Sequence, residues 1–338
     1  MNLTNKRGIV LMNLGSPDST SVKDVRRYLN EFLMDERVID IPRLQRALLV
    51  KGIITPFRAP KSAHAYQTIW TKDGSPLIVL TKQLQKAVQE KVTAPVEIAM
   101  RYGNPSPATA FDSLLNKVKD LEEVIVFPLY PHYAMASYET AAAYATEIHQ
   151  KNKYPFKLTM VPPFYNHPGY IHALSESMRP YLQNDYDHIL FSYHGIPARH
   201  LHNRNAQQVA DCIAGGCGVA GAGKNKNCYR YEVFETTKLV TEVLKIPREK
   251  YSLSFQSRLG KGWLEPFTDI RLAQMPKEGI KKLLIISPAF VSDCLETLEE
   301  LAIRGKEIFM NAGGESYQMI PCMNVHPEWV KVVAGMVS

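Results

Sequence analysis

Cysteine and long apolar runs are scarce in this chain of 338 residues. It contains five cysteines, and Cys294 and Cys322 stand alone in apolar surroundings, so we expect no disulfide framework of the secreted type. No apolar stretch approaches the ~18–20 residues that span a bilayer. The N-terminal apolar run ends by residue 17 and predicts no signal peptide. We therefore expect a soluble or peripheral protein.

Several nucleotide and nucleic-acid signatures are also absent. GxxxxGK[ST] does not occur, and the GxGxxG at 216–221 lies in a glycine-rich loop that does not directly follow a predicted strand, so we expect neither a dinucleotide-binding nor a P-loop site. The net charge of +7 is modest and suits an anionic small ligand or a membrane surface as well as nucleic acid. Because no basic run, RNA-binding signature or zinc finger accompanies it, we expect no nucleic-acid partner. The hydrophobic share of 45% and the charged share of 22% are typical of a globular protein.

Short β-branched and apolar runs recur between helical patterns along the chain. Several of these runs are apolar on both faces, as a central parallel strand requires. Eight strands are predicted, at 8–12, 96–100, 123–127, 157–161, 188–193, 252–256, 283–287 and 316–320. The clearest helices are predicted at 21–32, 76–92, 232–244 and 294–303. This alternation predicts a doubly wound α/β fold with parallel sheets and short connections.

A domain boundary is predicted at residues 151–155, where the polar sequence KNKYP follows a helix and precedes a new strand. We expect two similar α/β lobes, an N-terminal one at 1–152 and a C-terminal one at 153–310. Residues 311–338 are predicted to hold the last strand and a terminal helix that packs back on the first lobe.

Residues that directly follow the predicted strands are the first candidates for a binding site, because ligands of such sheets bind beyond the carboxyl ends of the strands. His194 directly follows the strand at 188–193 and precedes Gly195. Glycine allows a close approach, and an imidazole at this place can accept a proton or ligate a metal. The alternative is a hydrogen-bonded core histidine.

Asp293, Glu296 and Glu300 are spaced i, i+3 and i+7, so they would share one face of an α-helix. Three carboxylates on one face attract a hard divalent cation. The alternative is structural, since Ser292 or Asp293 can cap the helix and acidic residues are favourable near a helix N-terminus. The spacing alone leaves both interpretations open.

Arginines and aromatic residues elsewhere suit a flat anionic ligand. Arg58 and Arg101 can bind ligand carboxylates or form surface ion pairs. Tyr130, Trp263 and Phe290 can line a flat apolar slot or belong to the core.

Three cysteines, Cys212, Cys217 and Cys228, form the pattern C-x4-C-x10-C around a glycine-rich loop. Clustered thiols suggest metal or Fe–S ligation, but three ligands are one fewer than a closed site needs. The alternative is a loop with incidental cysteines.

The motifs together resemble the ferrochelatase family over nearly the whole chain. The matching segments are VLMNLGSP, FLMDERVID, TPFRAPK, MRYGNPSP, FPLYPHYA, FSYHGIP, FQSRLG with WLEPFTD, and SPAFVSDCLETLEE. The resemblance implies the chelatase fold, in which two Rossmann-like lobes, each a four-stranded parallel sheet flanked by helices, surround a porphyrin cleft. It also implies a lyase that inserts ferrous iron into a porphyrin and releases two protons, in the last step of haem synthesis.

The resemblance carries roles onto the matching residues. His194 matches the active-site histidine, implicated in proton abstraction or metal delivery, and Glu296 matches the glutamate opposite it. Asp293 and Glu300 match the acidic path by which the metal enters. The matching porphyrin contacts are Arg58 near the propionates, and Leu14, Tyr130, Ser137, Trp263 and Phe290 around the macrocycle.

Departures from the family pattern bear on substrate and cofactor. Leu14 stands where members that use coproporphyrin carry a tyrosine, which favours protoporphyrin IX as the substrate. Ferrous iron is then a second substrate, and no resident cofactor is required. The cysteine loop resembles that of members with a 2Fe–2S centre. Because Val233 and Gly218 replace two of their cysteines, we expect a labile cluster or none.

Besides a redox-sensing Fe–S protein, two alternatives to this function remain. One is a chelatase for another tetrapyrrole or metal, such as coproporphyrin III or cobalt. The other is a non-catalytic porphyrin or haem carrier, against which the acidic residues argue. We expect a cytoplasmic protein, with peripheral contact to the inner face of the membrane as an option, and the sequence leaves both monomer and dimer open.

Overall fold

A computed structural model describes residues 6–201, 227–258, 260 and 262–338 of the chain. They form two compact units. Unit 1 holds the described residues of Met1–Tyr130, Met135–Pro162 and Val330–Ser338, and unit 2 holds those of Pro131–Ala134 and Pro163–Trp329. We call Pro131–Ala134, which belongs to unit 2 between two stretches of unit 1, the inserted segment.

The sheet of unit 1 contains four parallel strands in the order β2-β1-β3-β4. Its strands are β1 (Arg7–Ser16), β2 (Val96–Gly103), β3 (Glu123–Pro128) and β4 (Lys157–Met160). Four consecutive residues of the inner strand β1, from Ile9 to Met12, are fully buried. Because successive side chains point to opposite faces, both faces of this sheet are covered.

The sheet of unit 2 has the same form, with the order β6-β5-β7-β8. Its strands are β5 (His188–His194), β6 (Tyr251–Gln256), β7 (Lys282–Ile286) and β8 (Ser316–Met319). In the inner strand β5, the residues from Ile189 to Tyr193 are fully buried. The prediction of two four-stranded parallel sheets is therefore confirmed, and all eight predicted strands occur.

The division between the sheets falls later than the expected boundary at 152. β4 pairs with β3, so the first sheet extends to Met160, and the polar residues that suggested a boundary form the turn before β4. The section expected at 311–338 is also divided. β8 pairs with β7 in the second sheet, whereas Val330–Ser338 group with unit 1.

Helices connect the strands. The α-helices are Val22–Leu33, Arg43–Ala47, Thr55–Ile69, Pro76–Gln89, Pro107–Lys117, Thr140–Lys151, Pro168–Met178, Tyr229–Leu244, Thr268–Gln274, Lys306–Asn311 and Pro327–Val337. Short 3₁₀ helices lie at Tyr181–Gln183, Ala198–His200, Arg248–Lys250 and Met275–Glu278. Local signals explain some of the starts: Ser21 Oγ accepts the N–H of Asp24, and Ser106 Oγ accepts that of Thr109.

Among the described residues, three segments are π-helical: Leu48–Ile54, Met135–Glu139 and Glu296–Gly305. The last of these overlaps the α-helix predicted at 294–303, so its position was predicted but its type was wrong. π-Helices are rare and short in most proteins, and a side-chain pattern does not distinguish helical hydrogen bonds that span one more residue. The helical region around Thr55–Ile69 was not predicted, because Pro56 and Pro60 argue against a helix.

Candidate active site

β5 ends at His194, which lies opposite Gln256 at the end of β6. The next residue, Gly195, donates its N–H to the main-chain oxygen of Gln256 at 2.8 Å. A Cβ on Gly195 would lie 2.7 Å from that same oxygen, closer than real Cβ contacts occur. Glycine is therefore required for the chain to leave the strand directly after His194.

Aromatic side chains surround His194 within unit 2. The ring of Phe290 meets the imidazole edge to face, with the ring centroids 6.0 Å apart and an angle of 85°. Trp263 lies beside the next turn, where it forms a β-bridge with Pro197. The hydroxyl of Tyr229 donates to the main-chain oxygen of His194 at 2.7 Å. The structure thus places Phe290 against His194 and Trp263 beside the turn that follows it.

Glu296 is the first residue of the π-helix Glu296–Gly305, which follows β7. Its main-chain oxygen accepts the side-chain amide of Gln256 at 3.2 Å. The oxygen of that amide accepts the hydroxyl of Ser192 at 2.6 Å. Gln256 therefore connects the strand that carries His194 with the helix that carries Glu296. Sequence reasoning missed Gln256, whose only signal was its place at the end of a predicted strand.

Glu300 lies one helical turn after Glu296 and is bound by Ser257. Both the main-chain N–H of Ser257, at 3.0 Å, and its hydroxyl donate to the carboxylate. Ser257 adopts a φ of 64°, in the left-handed region that side chains disfavour. Burial raises the pKa of Glu300, although the Ser257 hydrogen bonds and the charge of Arg304 act in the opposite direction. The carboxyl group is held in a defined place and takes up a proton more readily than an exposed glutamate.

Asp293 differs from the expected stripe of three carboxylates. It precedes the π-helix and is 6% exposed. Its carboxylate accepts hydrogen bonds from the hydroxyl of Thr297 at 2.9 Å, the side-chain amide of Asn324 at 2.7 Å and the N–H of Cys322 at 3.3 Å. These contacts are those of a structural anchor at the start of the helix. The helical register that placed Asp293 on one face with the glutamates is wrong, because the helix is π-helical and begins at Glu296.

The remaining predicted porphyrin contacts belong to unit 1. Arg58 is exposed on the helix Thr55–Ile69 and forms no ion pair with any described residue. Leu14 lies near the end of β1, and Ser137 lies in the π-helical segment Met135–Glu139. Tyr130 is 8% exposed and packs in the core of unit 1. Of these residues, Arg58 has the clearest freedom to bind an anionic group.

Arg101, the second arginine considered from the sequence, has a structural role. Its guanidinium pairs with the buried carboxylate of Asp35 and lies between the rings of Tyr102 and Tyr144, 4.2 and 4.5 Å from their centroids. Its Nε donates to the hydroxyl of Thr140 at 2.6 Å. Of the two roles predicted for Arg101, carboxylate binding in a ligand and an ion pair within the protein, the structure shows the ion pair, with Asp35.

Of the cysteines considered as cluster ligands, Cys212 and Cys217 lie outside the described residues. Cys228 is buried and stands at the start of the helix Tyr229–Leu244. Within the described part of the chain, no group of three or more His, Cys, Asp or Glu side chains is arranged to hold a metal ion.

Two solved structures with a similar fold are SirB proteins. SirB from Bacillus subtilis with Fe³⁺ aligns over 98% of this chain and 94% of its own, with a TM-score of 0.55 and 10% identity. The sirohydrochlorin chelatase SirB from Bacillus subtilis subspecies spizizenii, in complex with cobalt, aligns with a TM-score of 0.54 and 10% identity over 98% and 93% of the two chains. At this identity the likeness shows the fold alone, which is the two-lobed chelatase fold.

The sequence comparisons are more specific. The family model described as ferrochelatase matches residues 6–338. A ferrochelatase of Pseudomonas entomophila (strain L48) is 48% identical over 335 residues, which cover 97% of each chain. A ferrochelatase of Opitutus terrae is 45% identical and covers 98% of this chain and 96% of its own. The chain belongs to the ferrochelatase family and is an enzyme of the metal-chelatase class.

Proposed function

We propose that this enzyme inserts ferrous iron into protoporphyrin IX to form protohaem, as the terminal step of haem synthesis. The observation that carries the proposal is the arrangement of His194, Phe290 and Glu296 around Gln256 at one edge of the sheet of unit 2. This edge supplies a base, an aromatic surface and carboxylate oxygens within one unit. These are the groups that metal insertion into a flat macrocycle requires.

The reaction exchanges one ferrous ion for two protons and leaves every oxidation state unchanged. Both pyrrole N–H bonds of the porphyrin break as the nitrogen–iron bonds form. We assign the acceptance of these protons to His194, whose imidazole can take up a proton near neutral pH. Glu296 and Glu300 supply oxygen ligands that replace water around the incoming ferrous ion, while Trp263 and Phe290 offer apolar surface to the ring.

Protoporphyrin IX is proposed as the acceptor because Leu14 places an apolar side chain where coproporphyrin-using members of the family carry a tyrosine. Arg58 is proposed to bind a propionate, since its exposed guanidinium suits carboxylate recognition. No resident cofactor is needed for a reaction without electron transfer. We propose that the protein holds no stable 2Fe–2S centre, which anaerobic purification, visible absorption and iron analysis would test.

The decisive assay is anaerobic incubation with ferrous iron and protoporphyrin IX, with the absorption spectrum of protohaem as the expected product. Zinc and cobalt are supplied in parallel, and coproporphyrin III is the alternative acceptor. Faster insertion into coproporphyrin III would overturn the proposed substrate. Stoichiometric binding of porphyrin or haem without turnover would identify a carrier instead.

We also propose a cytoplasmic location with peripheral contact to an anionic membrane surface. Among the described residues, no helix is both long and apolar enough to cross a bilayer. The helical stretch from Arg43 to Ile69 nevertheless exposes Leu44, Leu48, Ile53 and Phe57, each by 59–74%. No acidic residue occurs between Asp40 and Asp73, whereas basic residues recur there. Exposed apolar side chains among cations suit an anionic interface.

Vesicle flotation tests this contact. The double variant Leu48→Glu, Phe57→Glu is expected to bind vesicles that contain phosphatidylglycerol about tenfold less than the wild type. Val243→Glu changes an exposed apolar residue of unit 2 and is the matched control. Equal flotation of the double variant and the control would exclude this surface. Gel filtration with light scattering would decide between monomer and dimer.

A further inference from the structure

Glu232 is a buried carboxyl group to which the proposed reaction assigns no role. It lies on the helix Tyr229–Leu244 and is 1% exposed. Its Oε2 accepts the main-chain N–H of Tyr133, in the inserted segment, at 2.6 Å. It forms no ion pair with any described residue, and a buried carboxylate without a cation costs stability that an apolar residue would not.

His132, the neighbour of Tyr133, is attached to the same helix. Its Nε2 lies 3.0 Å from the hydroxyl oxygen of Thr236, and that hydroxyl donates its own proton to the main-chain oxygen of Tyr165 at 2.8 Å. Thr236 must therefore accept from His132, whose proton lies on Nε2. Burial lowers the pKa of His132 to about 3, in agreement with a neutral ring. Glu232 and Thr236 are spaced i, i+4, so one helix face holds two of the four residues of the inserted segment, His132 and Tyr133.

The main-chain oxygen of Pro131 also accepts the N–H of Phe164 at 3.0 Å. Three consecutive residues of the inserted segment, Pro131, His132 and Tyr133, are thus hydrogen-bonded to other parts of unit 2. In the sequence, the segment separates Tyr130 from Ser137, two of the expected porphyrin contacts. The helix that holds the segment through Glu232 also begins at Tyr229, whose hydroxyl binds the main chain of His194. One helix therefore contacts both His194 and the inserted segment, which precedes Ser137 in the sequence.

We propose that Glu232 is a positioning residue for porphyrin binding, because its carboxyl oxygen fixes the main chain at Tyr133 and thereby the inserted segment, which lies between Tyr130 and Ser137 in the sequence. The inference rests on the proposed function, since it requires a porphyrin substrate. Without this oxygen, the partly buried N–H of Tyr133 loses the acceptor on Glu232 and the segment moves to find another. The carboxyl group keeps an oxygen that can accept this N–H whether or not it is protonated.

Three variants test the proposal. Glu232→Leu removes the acceptor and also the cost of burying a carboxylate, and Glu232→Gln keeps an oxygen acceptor. Glu242→Gln changes an exposed glutamate of the same helix and is the control. The measurements are steady-state zinc insertion, the Kd for protoporphyrin IX without metal by fluorescence titration, and unfolding by urea.

For Glu232→Leu we expect the porphyrin KM and Kd to rise about tenfold, which is about 1.4 kcal/mol, with a smaller change in kcat. Its urea midpoint should not fall below that of the wild type, and Glu232→Gln should recover most of the affinity. Wild-type KM and Kd in the leucine variant would overturn the proposal. So would a lower urea midpoint with unchanged KM and Kd, because that result describes a purely structural residue.

The two proposals fail in different ways. If the wild type binds the porphyrin but inserts no metal, the proposed function fails and the porphyrin Kd of the variants still decides the role of Glu232. If the wild type inserts metal and the leucine variant binds the porphyrin normally, only the positioning role fails. A wild type that neither binds the porphyrin nor inserts metal overturns both.

Discussion

Replacing Glu232 by glutamine should remove the contribution of this carboxyl group to the pH dependence of the free energy of unfolding. Burial raises the pKa of Glu232 from its ordinary 4.5 to about 7, against a smaller opposite effect of the Tyr133 N–H. A tenfold change in proton affinity corresponds to about 1.36 kcal/mol, so this difference amounts to ~3 kcal/mol.

The sign follows from which state binds the proton more tightly. The folded protein has the higher pKa, so its stability is fully present below pH 4.5 and is lost as the pH rises through about 7. Glutamine has no proton to lose and keeps an oxygen that can accept the N–H of Tyr133. The Glu232→Gln variant should match the wild type near pH 4.5 and exceed its free energy of unfolding by up to ~3 kcal/mol near pH 8.

Urea unfolding between about pH 5 and about pH 8, followed by tryptophan fluorescence, measures this difference. Trp329 is fully buried in unit 2, where its ring lies 5.6 Å from that of Phe164, and it reports the unfolding of that unit. Glu242→Gln, on the exposed side of the same helix, is the control. Parallel curves for the wild type and Glu232→Gln across this pH range would refute the idea that burial keeps a proton on Glu232.

Three further predictions concern the sheet edge of unit 2. His194→Ala should lower metal insertion at least ~100-fold by removing the proton acceptor while porphyrin affinity changes little, and insertion at the wild-type rate would refute that role. Gly195→Ala should lower the urea unfolding free energy by ~1–3 kcal/mol because its Cβ meets the main-chain oxygen of Gln256, and an unchanged midpoint would contradict the contact. Asp293→Asn should cost ~1–3 kcal/mol in the same assay by setting two amide donors, its own and that of Asn324, against each other. The folded fraction should keep its insertion rate, whereas a large loss of rate would restore Asp293 to the metal path.

The strands were predictable because each is an apolar run long enough to cross a sheet and is flanked by polar turns. The position of His194 was predictable for a related reason, since the residue after a buried parallel strand reaches the edge where ligands bind. The position of the helix Glu296–Gly305 was predictable, but its π-helical hydrogen bonding was not. A π-helix differs from an α-helix in that each hydrogen bond spans one more residue, and the apolar pattern over ten residues does not resolve that difference.

Contacts between distant residues were not predictable. Asp293 meets Asn324, Glu300 meets Ser257 and Glu232 meets the main chain of Tyr133 only because the sheet brings separate connections together. Neither the sequence spacing nor the residue types of these pairs indicate that the two residues are in contact. Polar residues of the same kinds occur throughout the chain in exposed positions.

The amino-acid sequence by itself determined the secondary-structure order, the parallel sheets and the family, because burial patterns and short motifs are local properties. The tertiary structure alone decided which carboxyl groups serve the fold and which remain available for chemistry. That division depends on desolvation and on hydrogen-bond donors contributed by other parts of the chain, and neither is fixed until the chain has folded.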